Sequence, residues 1–178
     1  MIKTLIQSVP KNAQTGLIVI GLLLSTGVFA AISGVLKDFN GNIKTLDDYT
    51  GQGQWVVLMF WASDCSVCNK EVHQYVALHK KHLKSHMRVL GVSLDGDKKI
   101  DAARDFLKKH QVNFPNLITD PATGARLYEL SGDSWIGTPS FMVFKPNGEL
   151  VGAQTGAVPA NVIESFITRE VQAQVGAK

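Results

Sequence analysis

Apolar residues fall into a few blocks along the chain, and their spacing changes from block to block. "WVVLMFWA" (Trp55 to Ala62) and "MRVLGVSLD" (Met87 to Asp95) are nearly continuous apolar runs of strand length, the pattern of strands buried on both faces of a sheet. After the first run, Cys68, Val72, Tyr75, Val76 and Leu83 recur at helical spacing while Lys70, Gln74, Lys80, Lys81 and Lys84 fall largely elsewhere, which predicts an amphipathic helix from Ser66 to about Leu83. After the second, "KKIDAARDFLKKHQV" predicts another helix with Ile100, Ala103, Phe106 and Leu107 inward, and "FPNLITD" reads as a short third strand. "SFMVFKPNGELVGAQTG" reads as a hairpin, with Phe141, Val143 and Leu150 alternating about a Lys145-Pro146-Asn147-Gly148 turn. A last amphipathic helix runs from about Ala160 to Val171, its apolar side made of Val162, Ile163, Phe166 and Ile167. Upstream, "VLKDFNGNIKTLDDY" places an Asn40-Gly41-Asn42 turn between short alternating segments. Strand, helix, strand, helix, hairpin and helix imply an α/β domain: a central mixed β-sheet flanked by helices, with an N-terminal β-hairpin extension.

The N-terminus is of a different kind. Lys3 and Lys11 precede an uncharged run from Gly16 to Leu36, with Val28-Phe29-Ala30 as a small-residue cleavage site. Residues 1–30 are expected to be a signal peptide, or an N-terminal membrane anchor in which residues 17–36 tether the chain; residues 31–178 form the domain. Cleavage is the preferred reading, because "ISGVLKDFNGN" already enters a strand and turn and leaves an anchored domain almost no linker. Either way the expected location is periplasmic or extracytoplasmic, where disulfides persist.

Length and composition fit one ordinary globular domain plus that appendage: 178 residues, 45% hydrophobic and 19% charged. The net charge of +3 is small and the basic residues are scattered, so no face for nucleic acid is expected.

Chemistry concentrates in "WASDCSVCNKE", Trp61 to Glu71, which holds the chain's two cysteines. Such a pair can be a cycling redox couple, half of a metal site or a structural bridge. Cys65 falls at a strand-to-helix junction, where unpaired N–H groups and the helix dipole favour thiolate over thiol. Cys68 lies one turn in and on the same face, within reach of a disulfide carried by the first sulfur. That arrangement suits thiol exchange, in which a thiolate attacks, a mixed disulfide forms and the neighbour resolves it. As a structural bridge it closes too short a loop to constrain much chain entropy.

"VVLMFWASDCSVCNKE", then "VLGVSLD", and much later "GTPSFMVFKPNGEL" resemble the thioredoxin-like superfamily, specifically its exported TlpA/ResA-like branch of thiol-disulfide oxidoreductases, over about Val35 to Ile167. The resemblance implies a thioredoxin-like fold and a redox-active Cys65–Cys68 disulfide, with no cofactor and no metal. It also implies substrate contacts from Trp61, Asp64, Thr138 and Pro139, with Pro139 a cis-proline lying against the disulfide. Glu71 matches the acid this branch often carries after its cysteines, a proton acceptor for Cys68 during resolution. The implied partners are protein thiols and disulfides, with a membrane relay as electron donor. Two positions depart from the branch: Asp64 stands where a second tryptophan is usual, and His73 where a proline often follows the glutamate. A carboxylate beside Cys65 would raise its pKa by on the order of one unit and bias the pair toward reduction of its substrates.

His79, His82 and His86 have spacings that invite a metal reading, yet they sit among lysines and read as a solvated face. Two alternatives carry different demands. A Sco-like copper-binding module needs three residues between its cysteines and a histidine well after the second strand, whereas this chain has two and no histidine beyond His110. A peroxiredoxin-like thiol peroxidase needs a Thr-x-x-Cys context, whereas Cys65 follows "WASD".

Overall fold

The computed structural model describes residues 35–83 and 85–176. The expected leader, residues 1–30, and its cleavage site lie outside them. Strands and helices follow in the order β1 (Leu36–Asp38), β2 (Ile43–Lys44), β3 (Trp55–Trp61), α1 (Ser66–His82), β4 (Met87–Ser93), α2 (Ile100–Lys109), β5 (Asn116–Ile118), α3 (Pro121–Tyr128), β6 (Ser140–Phe144), β7 (Leu150–Thr155) and α4 (Ala160–Gly176). The strands form one sheet in the order β2-β1-β5-β4-β3-β6-β7. Parallel β3–β4 and β4–β5 pairs at its centre meet antiparallel pairs on either side, so the sheet is mixed as expected.

Every residue of β3 is buried, which explains its unbroken apolar run. Trp55, Val57, Met59 and Trp61 join Val72 and Tyr75 of α1, Phe106 of α2 and Ile163 and Ile167 of α4 in one core. Val56, Leu58 and Phe60 join Leu90 and Val92 of β4 and Leu127 and Tyr128 of α3 in the other. Alternation along one strand thus feeds two cores, each large buried side chain contributing about 1.5–3 kcal/mol.

Several sequence expectations need correction. Helix α3 was not expected; it is short and supplies few apolar residues, although its Asp120 cap accepting from the Thr123 N–H at 3.0 Å and its leading Pro121 are ordinary start signals. Leu83 lies past the end of α1 and is exposed, while Leu78 and His79 take the inner face. Val162, expected inward, is half exposed. The proposed tether through residues 17–36 overruns the fold, because Leu36 is buried in β1 and paired with Lys44. The hairpin about Asn40-Gly41-Asn42 forms, and β1 also pairs with β5, so the extension is built into the sheet. Among the described residues no helix is long and apolar enough to cross a membrane.

Candidate redox site

β3 and β4 run parallel with Trp61 opposite Ser93, so the loops leaving both strands emerge side by side. Asp95, 8% exposed, uses that adjacency. Its carboxylate accepts from the Ser63 N–H at 3.2 and 3.0 Å, from Ser63 Oγ at 2.7 Å and from Ser93 Oγ at 2.7 Å. The Ala62–Asp64 turn is thereby pinned, and the Cys65 N–H donates back to the Ala62 carbonyl at 3.2 Å.

Cys65 caps α1 from an extended backbone (φ −75°, ψ 109°), and the Cys68 N–H donates to its sulfur at 3.0 Å. A sulfur so placed faces the positive end of the helix, which stabilises a thiolate. Cys65 and Cys68 are joined in a disulfide with their Cα atoms 5.2 Å apart. The two sulfurs are not equivalent: Cys65 is partly exposed, whereas Cys68 is fully buried. The Thr138–Pro139 peptide is cis, and the Thr138 carbonyl oxygen lies 3.4 Å from Cys65 Sγ. The Thr138 carbonyl therefore stands against the disulfide, and the Gly156 N–H holds the next carbonyl, that of Pro139, at 2.8 Å.

The other expected site residues divide. Asp64 adjoins the pair, but its carboxylate accepts from Lys99 Nζ at 2.8 Å, and that hydrogen bond holds its pKa below the usual carboxylate value. The lone charge expected beside Cys65 is thus an ion pair. Trp61, expected among the substrate contacts, is 1% exposed and enclosed in the core. It stacks on Phe106 with ring centroids 4.2 Å apart and donates from Nε1 to Asn116 Oδ1 at 3.0 Å, within the core that also takes in Cys68. Gly91 makes that bond possible, since a Cβ there would stand 1.9 Å from Asn116 Oδ1. Glu71 is partly buried and accepts from Gln74 Nε2 at 2.5 Å; Gln74 Oε1 in turn accepts from the Ala160 N–H at 3.2 Å. Burial, then the Glu71 charge, pushes the nearby Tyr75 phenol up.

The histidines are not the solvated row that their lysine neighbours suggested. His79 is buried and its Nδ1 accepts from the Val89 N–H at 3.1 Å; burial, then Arg88, lowers its pKa. His82 bridges Glu164 at 2.7 Å and Ser85 at 2.8 Å, while His86 is exposed. Among the described residues no group of three or more His, Cys, Asp or Glu side chains is arranged to hold a metal ion.

Sequence reasoning missed Asp95, Lys99 and Asn69, and also the exposed Ile136 and Val67, which flank the cis-proline and the cysteines. Only Asp95 had a readable signal: aligning the two apolar runs in parallel register places it beside Ser63.

A cysteine pair at a helix start, one sulfur accessible and one buried, facing a cis-proline from a mixed sheet, defines the class of thioredoxin-like thiol-disulfide oxidoreductases. The chain belongs to the AhpC/TSA family, whose model matches residues 30–153. It is 32% identical over 134 residues to the thiol-disulfide oxidoreductase ResA of Bacillus subtilis, an alignment covering 75% of this chain and 69% of that protein. A thiol:disulfide interchange protein of the thioredoxin family from Chlorobium tepidum has the same fold, with a TM-score of 0.63 at 15% identity over 76% of this chain and 92% of that one. The pneumococcal exposed lipoprotein thioredoxin Etrx1 from Streptococcus pneumoniae matches with a TM-score of 0.56 at 26% identity, over 76% and 97% of the two chains. With thiol-disulfide oxidoreductases as its relatives, the copper-binding and thiol-peroxidase alternatives are not favoured.

Proposed function

We propose that Cys65 is the nucleophile and Cys68 the resolving thiol of an enzyme that exchanges disulfides with protein thiols outside the cytoplasm, in the reducing direction. The observation that carries the proposal is the asymmetry of the pair: the partly exposed sulfur lies over the helix N-terminus, while its partner is enclosed. In the reduced protein Cys65 attacks a substrate disulfide, forming a mixed disulfide and releasing one substrate thiolate. Cys68 then attacks Cys65 Sγ, restoring the intramolecular disulfide and freeing the second substrate thiol. Glu71, three residues after Cys68 on α1 and held there by Gln74, is the proposed acceptor of the Cys68 proton. Thr138 and Pro139 would support an extended substrate segment beside Cys65, with Ile136 and Val67 offering apolar contact. Trp61 supports the site from within the core.

What remains of the Asp64 charge after pairing with Lys99 disfavours the thiolate, which supports a reducing poise. An apolar leader with basic flanks supports delivery outside the cytoplasm, and a membrane relay is the proposed electron source. The test is reduction of a model protein disulfide by the chemically reduced domain. Cys65→Ser should abolish turnover, and full activity in that variant would reject the proposal.

A further inference from the structure

Asn69 joins the cysteine loop to the far end of α2. Its side-chain Nδ2 donates to the Ser63 and Cys65 carbonyls, both at 3.0 Å, so it closes the loop around the proposed nucleophile. Those two acceptors fix the amide orientation and leave Oδ1 as the acceptor on its other side. Oδ1 receives His110 Nε2 at 2.9 Å and Lys109 Nζ at 3.2 Å, so the His110 nitrogen facing Asn69 carries a proton in either charge state. His110 is itself held by Phe106, with ring centroids 4.6 Å apart, and Phe106 stacks on Trp61 in the core that also takes in Cys68.

From this geometry, and resting on the reading of Cys65 as the nucleophile, we infer that Asn69 is a positioning residue for Cys65 and that His110, acting through it, makes thiolate formation depend on the imidazole's protonation. The neutral ring donates an ordinary hydrogen bond to Oδ1. The imidazolium donates a charge-assisted one, which polarises the amide and strengthens its grip on the two carbonyls. The added positive charge also favours a thiolate at Cys65. The titratable and charged groups facing His110 are Lys109 of its own helix and His73 of α1; burial first, then these two, keep its pKa below the ordinary imidazole value. Its change of state therefore falls on the acid side of neutrality. Raising the pH through it removes the extra stabilisation before Cys65 has fully ionised.

The experiment measures iodoacetamide alkylation of Cys65 against pH in the reduced Cys68→Ser protein, whose backbone N–H at position 68 is kept. The expected profile has two steps, the acid-side rate exceeding a single-thiol curve by about two- to three-fold, the effect of a nearby unit charge in a water-exposed site. His110→Gln retains an N–H donor but cannot titrate; it should give a single step with nearly the same upper pKa. Asn69→Ala and Asn69→Asp lose the two donated bonds and should slow acid-side alkylation by about three-fold or more. Superimposable profiles for His110→Gln and its parent would overturn the role of His110. Unchanged profiles in both Asn69 variants would overturn the positioning role. Failure of the underlying reading looks different: Cys65 itself would be unreactive in the parent protein.

Discussion

Replacing Asp95 with alanine removes the anchor of the loop that carries Cys65. Four contacts vanish, two to the Ser63 N–H and one to each of two serine hydroxyls, around a carboxylate that is 8% exposed. Hydrogen bonds to a charged group contribute about 1.5–3 kcal/mol each, while a buried neutral donor left unpaired costs about 1–3 kcal/mol. The hydroxyls can rotate toward other acceptors and the lost carboxylate no longer needs desolvation, so the net loss should be about 2–4 kcal/mol. Asp95→Asn keeps one acceptor for Ser63 and should lose only about 1 kcal/mol. The assay is urea unfolding of the oxidised protein, where a slope of about 2 kcal/mol/M turns the alanine loss into a midpoint shift of about 1–2 M. Disulfide exchange should slow in parallel as Cys65 loosens over the helix start. A midpoint unchanged in Asp95→Ala, or equal losses in the alanine and asparagine variants, would refute this view of the loop.

Three other outcomes are expected. With its partner removed, Lys99 is free to withdraw into solvent, so Asp64→Asn should lower the Cys65 pKa by only about 0.3–0.5 unit, whereas Lys99→Met, which uncovers the Asp64 charge, should raise it by less; both are read from alkylation rates, and a Cys65 pKa that rises in Asp64→Asn would show that the carboxylate does not act on the thiolate. Gly91→Ala drives a methyl against Asn116 and the Trp61 ring, so it should cost about 1–3 kcal/mol in unfolding and alter Trp61 fluorescence. Glu164 is held below its usual pKa by bonds first from Lys81 and then from His82. Its folded pKa is depressed, so its contribution is full above the unfolded carboxylate value of about 4.3 and is lost as the pH falls through the folded pKa; Glu164→Gln should therefore cost about 0.5–1 kcal/mol at pH 7 and converge on the parent in strong acid, in unfolding measured across that range.

The elements that the sequence revealed are those whose burial is regular. β3 and β4 are buried on both faces and read as apolar runs, and the inner faces of α1 and α2 follow the helical repeat. Helix α3 escaped because two turns with few apolar residues leave no periodic signal. The cysteines and the Thr-Pro segment were legible as a motif. The partners of Asp64 and Asn69 were not, because Lys99 lies 35 positions from Asp64 and His110 lies 41 from Asn69, and only the packing of α2 beside the loop brings them together. The place of His79 is hidden for a related reason: its lysine neighbours describe one side of the helix, while the imidazole points to the other and pairs with β4.

The most direct test of the account is to trap the mixed disulfide in the Cys68→Ser protein and map the bond by mass spectrometry. The account predicts covalent adducts with disulfide-bearing protein substrates, released by dithiothreitol and joined to the substrate through Cys65 alone, with none formed by Cys65→Ser. Stable adducts through Cys68 in the Cys65→Ser protein, with none through Cys65, would contradict it.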